Sequence, residues 1–183
     1  MQRIPRIDPT NAPVRTQDLL AQVRKHMGGV PNLVATLAQS PAALAGYLGF
    51  AGGLASGSLS AAHREQISIA VGGANGCDYC VSAHTALGKR LGLSPDELCR
   101  NLTGQSDDPK TNVLLGFVRE LVRDRGHVSD QALGALVAAG FDDEAVVEIV
   151  ANVALNTFTN YFNHVAATEI DFPLVEAKTA LAA

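Results

Sequence analysis

Two thiols, an imidazole and a carboxylate share one short stretch of the chain, residues 65–84, EQISIAVGGANGCDYCVSAH. Glu65 opens it, Cys77 and Cys80 stand three residues apart, and His84 follows Cys80 by four. On a helix, at about 100° per residue, the last three fall within roughly 60° of one another on one face. A thiol is a poor nucleophile until it loses its proton. Cys77 lies at the expected start of a helix, where unpaired N–H groups favour negative charge. His84, one turn beyond Cys80, is placed to take the Cys80 proton. If the preceding helix folds back about the Asn75-Gly76 turn, Glu65 reaches the level of His84, since each residue rises about 1.5 Å. A carboxylate there orients the imidazole and stabilises its protonated form. Two thiols at this spacing also close a disulfide once one is oxidised to a sulfenic acid. Together these parts describe a dithiol peroxidase.

Other chemistries compete for the same residues. Cys77, Cys80 and His84 supply three of the four ligands that a structural zinc site wants, with Cys99 or His63 as a fourth at unusual spacing. No second paired cluster accompanies them, so the stretch is read as metal-free. A thioredoxin-type C-x-x-C needs a βαβ setting, and no strand is expected before Cys77. Inert buried cysteines are the default for a lone thiol but fit poorly with a C-x-x-C followed by a histidine in register. A non-enzymatic redox-sensing or zinc-binding helical module stays open.

The elements that must position this stretch are expected to be helices. Hydrophobic residues make up 47% of the 183 and charged residues 17%, with no Trp. Ala and Leu dominate, and β-branched residues do not gather in alternating runs, which points to an all-α protein of one domain. A net charge of −4 gives no electrostatic case for nucleic acid or an anionic membrane. No apolar run reaches the length of a membrane span. The opening MQRIPRIDPTNAP lacks an apolar signal core, so a cytoplasmic setting is expected. Three cysteines do not make a secreted disulfide framework.

Residues 1–15 read as an extended arm. Thr16 or Asp18 starts a short helix to Met27, and Pro31 opens an apolar segment to Gln39. Ser40-Pro41 caps a helix over about 41–55 that carries no charge and four glycines, Gly46, Gly49, Gly52 and Gly53. It is expected to be buried, in the core or in a subunit interface. Ser60 caps a helix over about 61–74 with Ile67, Ala70 and Val71 inward, and the next runs from Cys77 to about Leu91. Ser94-Pro-Asp-Glu97 is a capping box. Asp108-Pro109, Ser129 and Asp142 start helices to about Arg125, Ala139 and residue 168. A shift of 80 residues lays Ile67–Ala70 on Val147–Val150, Cys77 on Thr157, Cys80 on Asn160 and His84 on His164. This suggests a repeat in which each half holds a longer helical hairpin and only the first keeps the thiols.

Side chains outside the stretch have milder readings. Tyr47, Phe50 and Leu54 are expected to pack in the core in preference to lining a pocket. His63 faces solvent or the helix cap, Cys99 is half-buried, and His26 and His127 sit near helix ends. Asn156, Asn160 and His164 form either a degenerate second site or, more simply, a polar network against the first, since buried amides must be paired.

The whole spacing, Glu65, eleven residues, Cys77-Asp-Tyr-Cys80, three residues, His84, resembles the signature of AhpD-like alkylhydroperoxidases in the carboxymuconolactone decarboxylase superfamily. The capped helix after it and GFDDEAVVEIVANVALNTFTNYFNHVAATEIDFP look like that family's peroxidase-related branch. The resemblance implies an all-helical, duplicated fold over residues 16–183, with an active half at about 40–103 and a degenerate half at about 108–170. It also implies a homo-oligomer: a dimer, trimer or hexamer. For chemistry it implies that Cys80, activated by His84 and Glu65, attacks a peroxide O–O bond and that Cys77 then closes a disulfide. The helix-start position of Cys77 argues for the reverse order. No bound cofactor or metal is implied. An external dithiol resets the pair, in the family a lipoyl group on a partner protein. AhpD carries a histidine just before its second cysteine, where Tyr79 stands here. A tyrosine donates a hydrogen bond but is no base near neutral pH, which makes Tyr79 a modulator of the relay. The superfamily's other branch suggests a lyase acting on a lactone or β-keto acid, with His84 as general base.

Overall fold

The computed structural model describes residues 2–177, which form nine α-helices and no strand. They are α1 (Val14–Met27), α2 (Asn32–Leu37), α3 (Pro41–Ala55), α4 (Ala61–Asn75), α5 (Asp78–Arg90), α6 (Pro95–Leu102), α7 (Pro109–Arg123), α8 (Asp130–Ala138) and α9 (Asp143–Ala166). Six starts carry the caps expected from sequence. The side chains of Ser40, Ser60, Ser94, Asp108, Ser129 and Asp142 each accept the backbone N–H three residues on. Each such cap contributes about 1 kcal/mol. The box at Ser94 has only its outward half. Glu97 turns away and accepts from Gln66, Asn101 and Ser106 at 2.6–2.9 Å, pinning the loop before α7 to α4 and α6.

α4 is the axis of the fold and packs against α5, α6, α7 and α9. Every residue from Gln66 to Gly73 is buried, Ile67 and Ile69 completely. The helix is covered on all sides, a wider burial than the one inward face expected. On one side its residues join α7, α8 and α9 in a core built on Ile67, Val71, Leu114, Leu115, Val118, Leu136 and Ile149. A second core, on Leu20, Val34 and Leu44 of α1, α2 and α3, takes in Cys77, Tyr79 and Cys80. Full burial of such an aliphatic side chain contributes roughly 1.5–3 kcal/mol. Two glycines allow the tight approach. A Cβ on Gly73 would lie 2.1 Å from the Leu102 carbonyl oxygen of α6, and one on Gly88 2.7 Å from Leu98.

Several expectations are corrected. α3 is not in the core of the chain: only Leu44 is buried, its four glycines face open space, and Phe50 is 43% exposed, so of the two settings expected for it a subunit interface is the one left. An uncharged helix is cheap to bury but not obliged to be, and among the described residues nothing covers that face. The residues laid on the α4–α5 hairpin by the 80-residue shift form one unbroken helix, α9, so no second hairpin exists there. α9 ends at Ala167, which is left-handed at φ 49°. The N-terminal arm is extended but docked: Arg3 N–H donates to Ala166 O at 2.7 Å and Ile7 N–H to Ala35 O at 2.9 Å. No helix among the described residues is long and apolar enough to cross a membrane.

Candidate active site

The turn between α4 and α5 makes the site. Gly76 takes φ 68°, a left-handed conformation that a glycine adopts without strain. Gly76 and Cys77 N–H groups close back on the end of α4, and the chain reverses. Glu65 near the start of α4 then meets His84 on α5, and the His84 Nδ1–H donates to Glu65 Oε2 at 2.7 Å. Both side chains are mostly covered, 24% and 19% exposed. Fixing Nδ1 as the donor leaves Nε2 as the nitrogen that can address a bound molecule. Burial works against charge on His84, but the Glu65 charge and hydrogen bond, with Cys80 adding, outweigh it and raise its pKa.

Cys77 is the N-cap of α5, and its sulfur accepts the Cys80 N–H at 3.4 Å. Both thiols are free and buried, with Sγ atoms 2.6 Å apart. The Cys77 S–H donates to Cys80, and this sets the two apart. The hydrogen bond to Cys80 is the chief cause holding the proton on Cys77, reinforced by burial and by charge on Cys80. The same bond is the chief cause lowering Cys80 to about 7. Burial opposes it, while positive charge on His84 and the amides of Asn163 and Asn160 assist. The helix-start position therefore serves Cys77 as a cap, and the negative charge falls one turn on. His84 acts on Cys80 through its charge, not through the direct hydrogen bond expected from their spacing.

A cavity of about 280 Å³ leads to these groups. Cys80, His84 and Glu65 are in its wall and Cys77 is not. Tyr47 and Leu54 line it, contrary to the core packing expected of them, whereas Phe50 points outward. Burial first, then charge on Cys80 and Glu65, pushes the Tyr47 hydroxyl up to about 12, so it stays neutral beside the relay. Across the cavity stand Asn152, Leu155 and Asn156 of α9. α9 is also tied to the loop before α4, because Glu148 accepts the N–H groups of Ser58 and Leu59 at 2.8 and 3.0 Å.

Tyr79 is not wired into the relay. Its hydroxyl accepts the Leu33 N–H at 3.0 Å, and its ring meets Phe172 edge-on with centroids 5.9 Å apart. Burial raises its pKa, so it is a neutral pin between α5 and α2 with its ring in the cavity wall. Cys99 is exposed on α6, not half-buried, and His63 is half-buried with its ring 5.7 Å from that of Phe141. Neither joins the thiols, and among the described residues no group of three or more His, Cys, Asp or Glu side chains is placed to hold a metal. The asparagines of α9 form a network against the thiols. Asn160 Oδ1 accepts from Asn75 at 2.9 Å and Asn163 Nδ2 donates to Cys80 Sγ at 3.2 Å. His164 only reaches the Gly76 carbonyl, at 3.3 Å on the surface. Asn163 was not singled out in sequence. Its one legible signal is that it lies three residues after Asn160, on the same face of an amphipathic helix.

The sequence model of the carboxymuconolactone decarboxylase family matches residues 41–123. That span contains α3 to α7 and every member of the relay. No curated protein matches the chain. Among solved structures, the AhpD-core, peroxidase-related protein of Ralstonia eutropha JMP134 superposes with a TM-score of 0.85 at 25% identity, over 93% of this chain and 92% of that one. A peroxidase-related protein from Silicibacter sp. TM1040 gives 0.79 at 25% identity, over 91% and 88%. The debrominase Bmp8, in complex with 2,3,4-tribromopyrrole, also gives 0.79, over 100% and 97%, but at 17% identity that likeness is one of fold alone. With the family match over α3–α7 and the AhpD core matched along nearly its whole length, this all-helical chain is similar to AhpD-like proteins of the carboxymuconolactone decarboxylase superfamily.

Proposed function

We propose that the protein is a dithiol-dependent peroxidase that reduces alkyl hydroperoxides or hydrogen peroxide through a Cys77–Cys80 disulfide cycle. One observation carries the reading: of the two thiols only Cys80, the more acidic, lines the cavity, and it does so beside His84 and Glu65. The Cys80 thiolate attacks the distal peroxide oxygen, the O–O bond breaks, and the imidazolium of His84 protonates the departing alkoxide or hydroxide. Cys77 then attacks the sulfenic sulfur, a disulfide forms and water leaves. Two electrons from an external dithiol, such as a lipoyl group on a partner protein, restore both thiols.

The test is peroxide consumption driven by dithiothreitol or dihydrolipoamide. Cys80→Ser is expected to abolish it. Cys77→Ser is expected to stop turnover after a single sulfenic acid, and His84→Gln to slow it. Undiminished turnover in both cysteine variants ends the reading. The His84–Glu65 pair, which faces the cavity whatever the thiols do, favours a second reading, a lyase with His84 as general base. That reading requires activity on a lactone or β-keto acid that both cysteine variants retain.

The implied homo-oligomer has a surface to form on. Phe50 of α3 and Phe158, Tyr161 and Val165 of α9 are all exposed, on helices packed against each other. We place the contact between copies there.

A further inference from the structure

The mechanism above uses charged and thiol groups of α4 and α5, but it leaves the asparagines of α9 without a role. Asn160 is fully buried and Asn163 is 4% exposed. They lie one helical turn apart and so share a face. Asn163 Nδ2 donates to Cys80 Sγ at 3.2 Å, and among the described residues its Oδ1 is buried without a donor, so this amide is oriented from the thiol side. Asn160 is oriented from the other end. Asn75, at the last residue of α4, donates to its Oδ1 at 2.9 Å, which leaves Nδ2 buried with no acceptor. A buried amide N–H without an acceptor is rare and calls for an explanation. A thiol sulfur is a weak acceptor, whereas an anion in the same place takes several N–H donors.

We propose that Asn160 and Asn163 form a two-amide hole on α9 that holds Cys80 as its thiolate, with Asn75 as the residue that aims Asn160. The inference rests on the reading that Cys80 is the attacking thiol. The hole imports no net charge. Its donors are neutral dipoles, and the Asn163 amide is already set toward the sulfur, so it need not reorganise when charge appears there. The titratable groups around Cys80 belong to other elements: Cys77 at the turn, Glu65 on α4, His84 and Tyr79 on α5, and Tyr47 on α3. Both amides assist ionisation of Cys80, in the same sense as His84.

The test reads thiolate formation without peroxide. Reduced full-length protein is alkylated with iodoacetamide across pH, and modification of Cys80 is separated from that of Cys77 and Cys99 by peptide mass analysis. Asn163→Leu is expected to move the Cys80 midpoint up by about one pH unit, slowing its alkylation at neutral pH about fivefold. Asn160→Leu and Asn75→Leu should move it the same way by less. Asn163→Asp keeps the shape and replaces the donor by an acceptor. It should raise the midpoint too, and it serves if a leucine variant loses its cooperative melt. An unmoved midpoint in a folded Asn163→Asp protein overturns the proposal. Failure of the two claims is distinguishable. A shifted midpoint in a protein that consumes no peroxide removes the peroxidase reading and leaves the hole. Peroxide turnover that depends on both cysteines, with unmoved midpoints, does the reverse.

Discussion

Residues 65–84 and the stretch that an 80-residue shift lays on them, 145–164, end in the same residue type and build opposite things. The first bends at Gly76 and returns on itself. The second runs straight as part of α9. Nineteen residues of straight helix would part Glu65 from His84 by about 28 Å; the bend brings them to 2.7 Å. In α9 the position of Glu65 is taken by Ala145, and His164 ends on the surface. The straight helix instead lays neutral amides along the thiols that the bent one presents. Charge comes to Cys80 from the hairpin and neutral donors come from α9, and the left-handed turn at Gly76 is what lets the hairpin bring its carboxylate to its histidine.

The comparison can be broken most severely at the sulfur itself. Cys80→Ser leaves both supporting sides intact and removes what they serve, so turnover should fall on the order of a thousandfold, to the uncatalysed rate. Steady-state peroxide consumption measures it. Next comes the charged side alone. Glu65→Gln should lower turnover on the order of a hundredfold. The sign of its pH effect follows from His84, whose pKa the carboxylate raises. Without that charge the imidazolium is lost at lower pH, so the alkaline fall in rate should shift to lower pH. The acid limb reports Cys80, which is lowered to about 7, and the rate should rise through neutral pH and not in the ordinary thiol range.

Straightening the bend is a smaller perturbation. A Cβ at Gly76 meets open space, so Gly76→Val acts only through the left-handed φ. It should cost at least roughly 1–2 kcal/mol and show as a lower melting temperature with reduced turnover. The smallest effect on chemistry is expected at the outer face of the same two helices. Phe50→Glu with Tyr161→Glu should break the contact between copies, which sedimentation velocity will show as a smaller particle, while the monomer's helicity is kept.

What was legible in the sequence was local. Six caps, the glycine stops and the Asn75-Gly76 turn fix where helices begin and end through bonds made within a few residues, and the structure repeats them almost position for position. The spacing of Glu65, Cys77, Cys80 and His84 was legible for the same reason, since a hairpin of known rise converts it into distance. Whether the core or a second copy covers α3 was not legible, because composition reports how cheaply a helix can be covered, not what covers it. Cys99 was misread for a similar reason. It follows Leu98, which is buried, and one residue on a helix turns a side chain by about 100° away from the core.

By itself, then, the sequence determined an all-helical chain, its helix ends and the pairing of Glu65 with His84 and of Cys77 with Cys80, because those follow from hydrogen bonds and helical rise inside one short segment. Only the tertiary structure decided that Cys80, not Cys77, meets the cavity, that Tyr79 pins α2 to α5, and that Asn163 donates to the Cys80 sulfur. Those outcomes depend on how helices 80 residues apart are turned against each other. That rotation is set by the packing of both cores at once, around an α4 buried on every side.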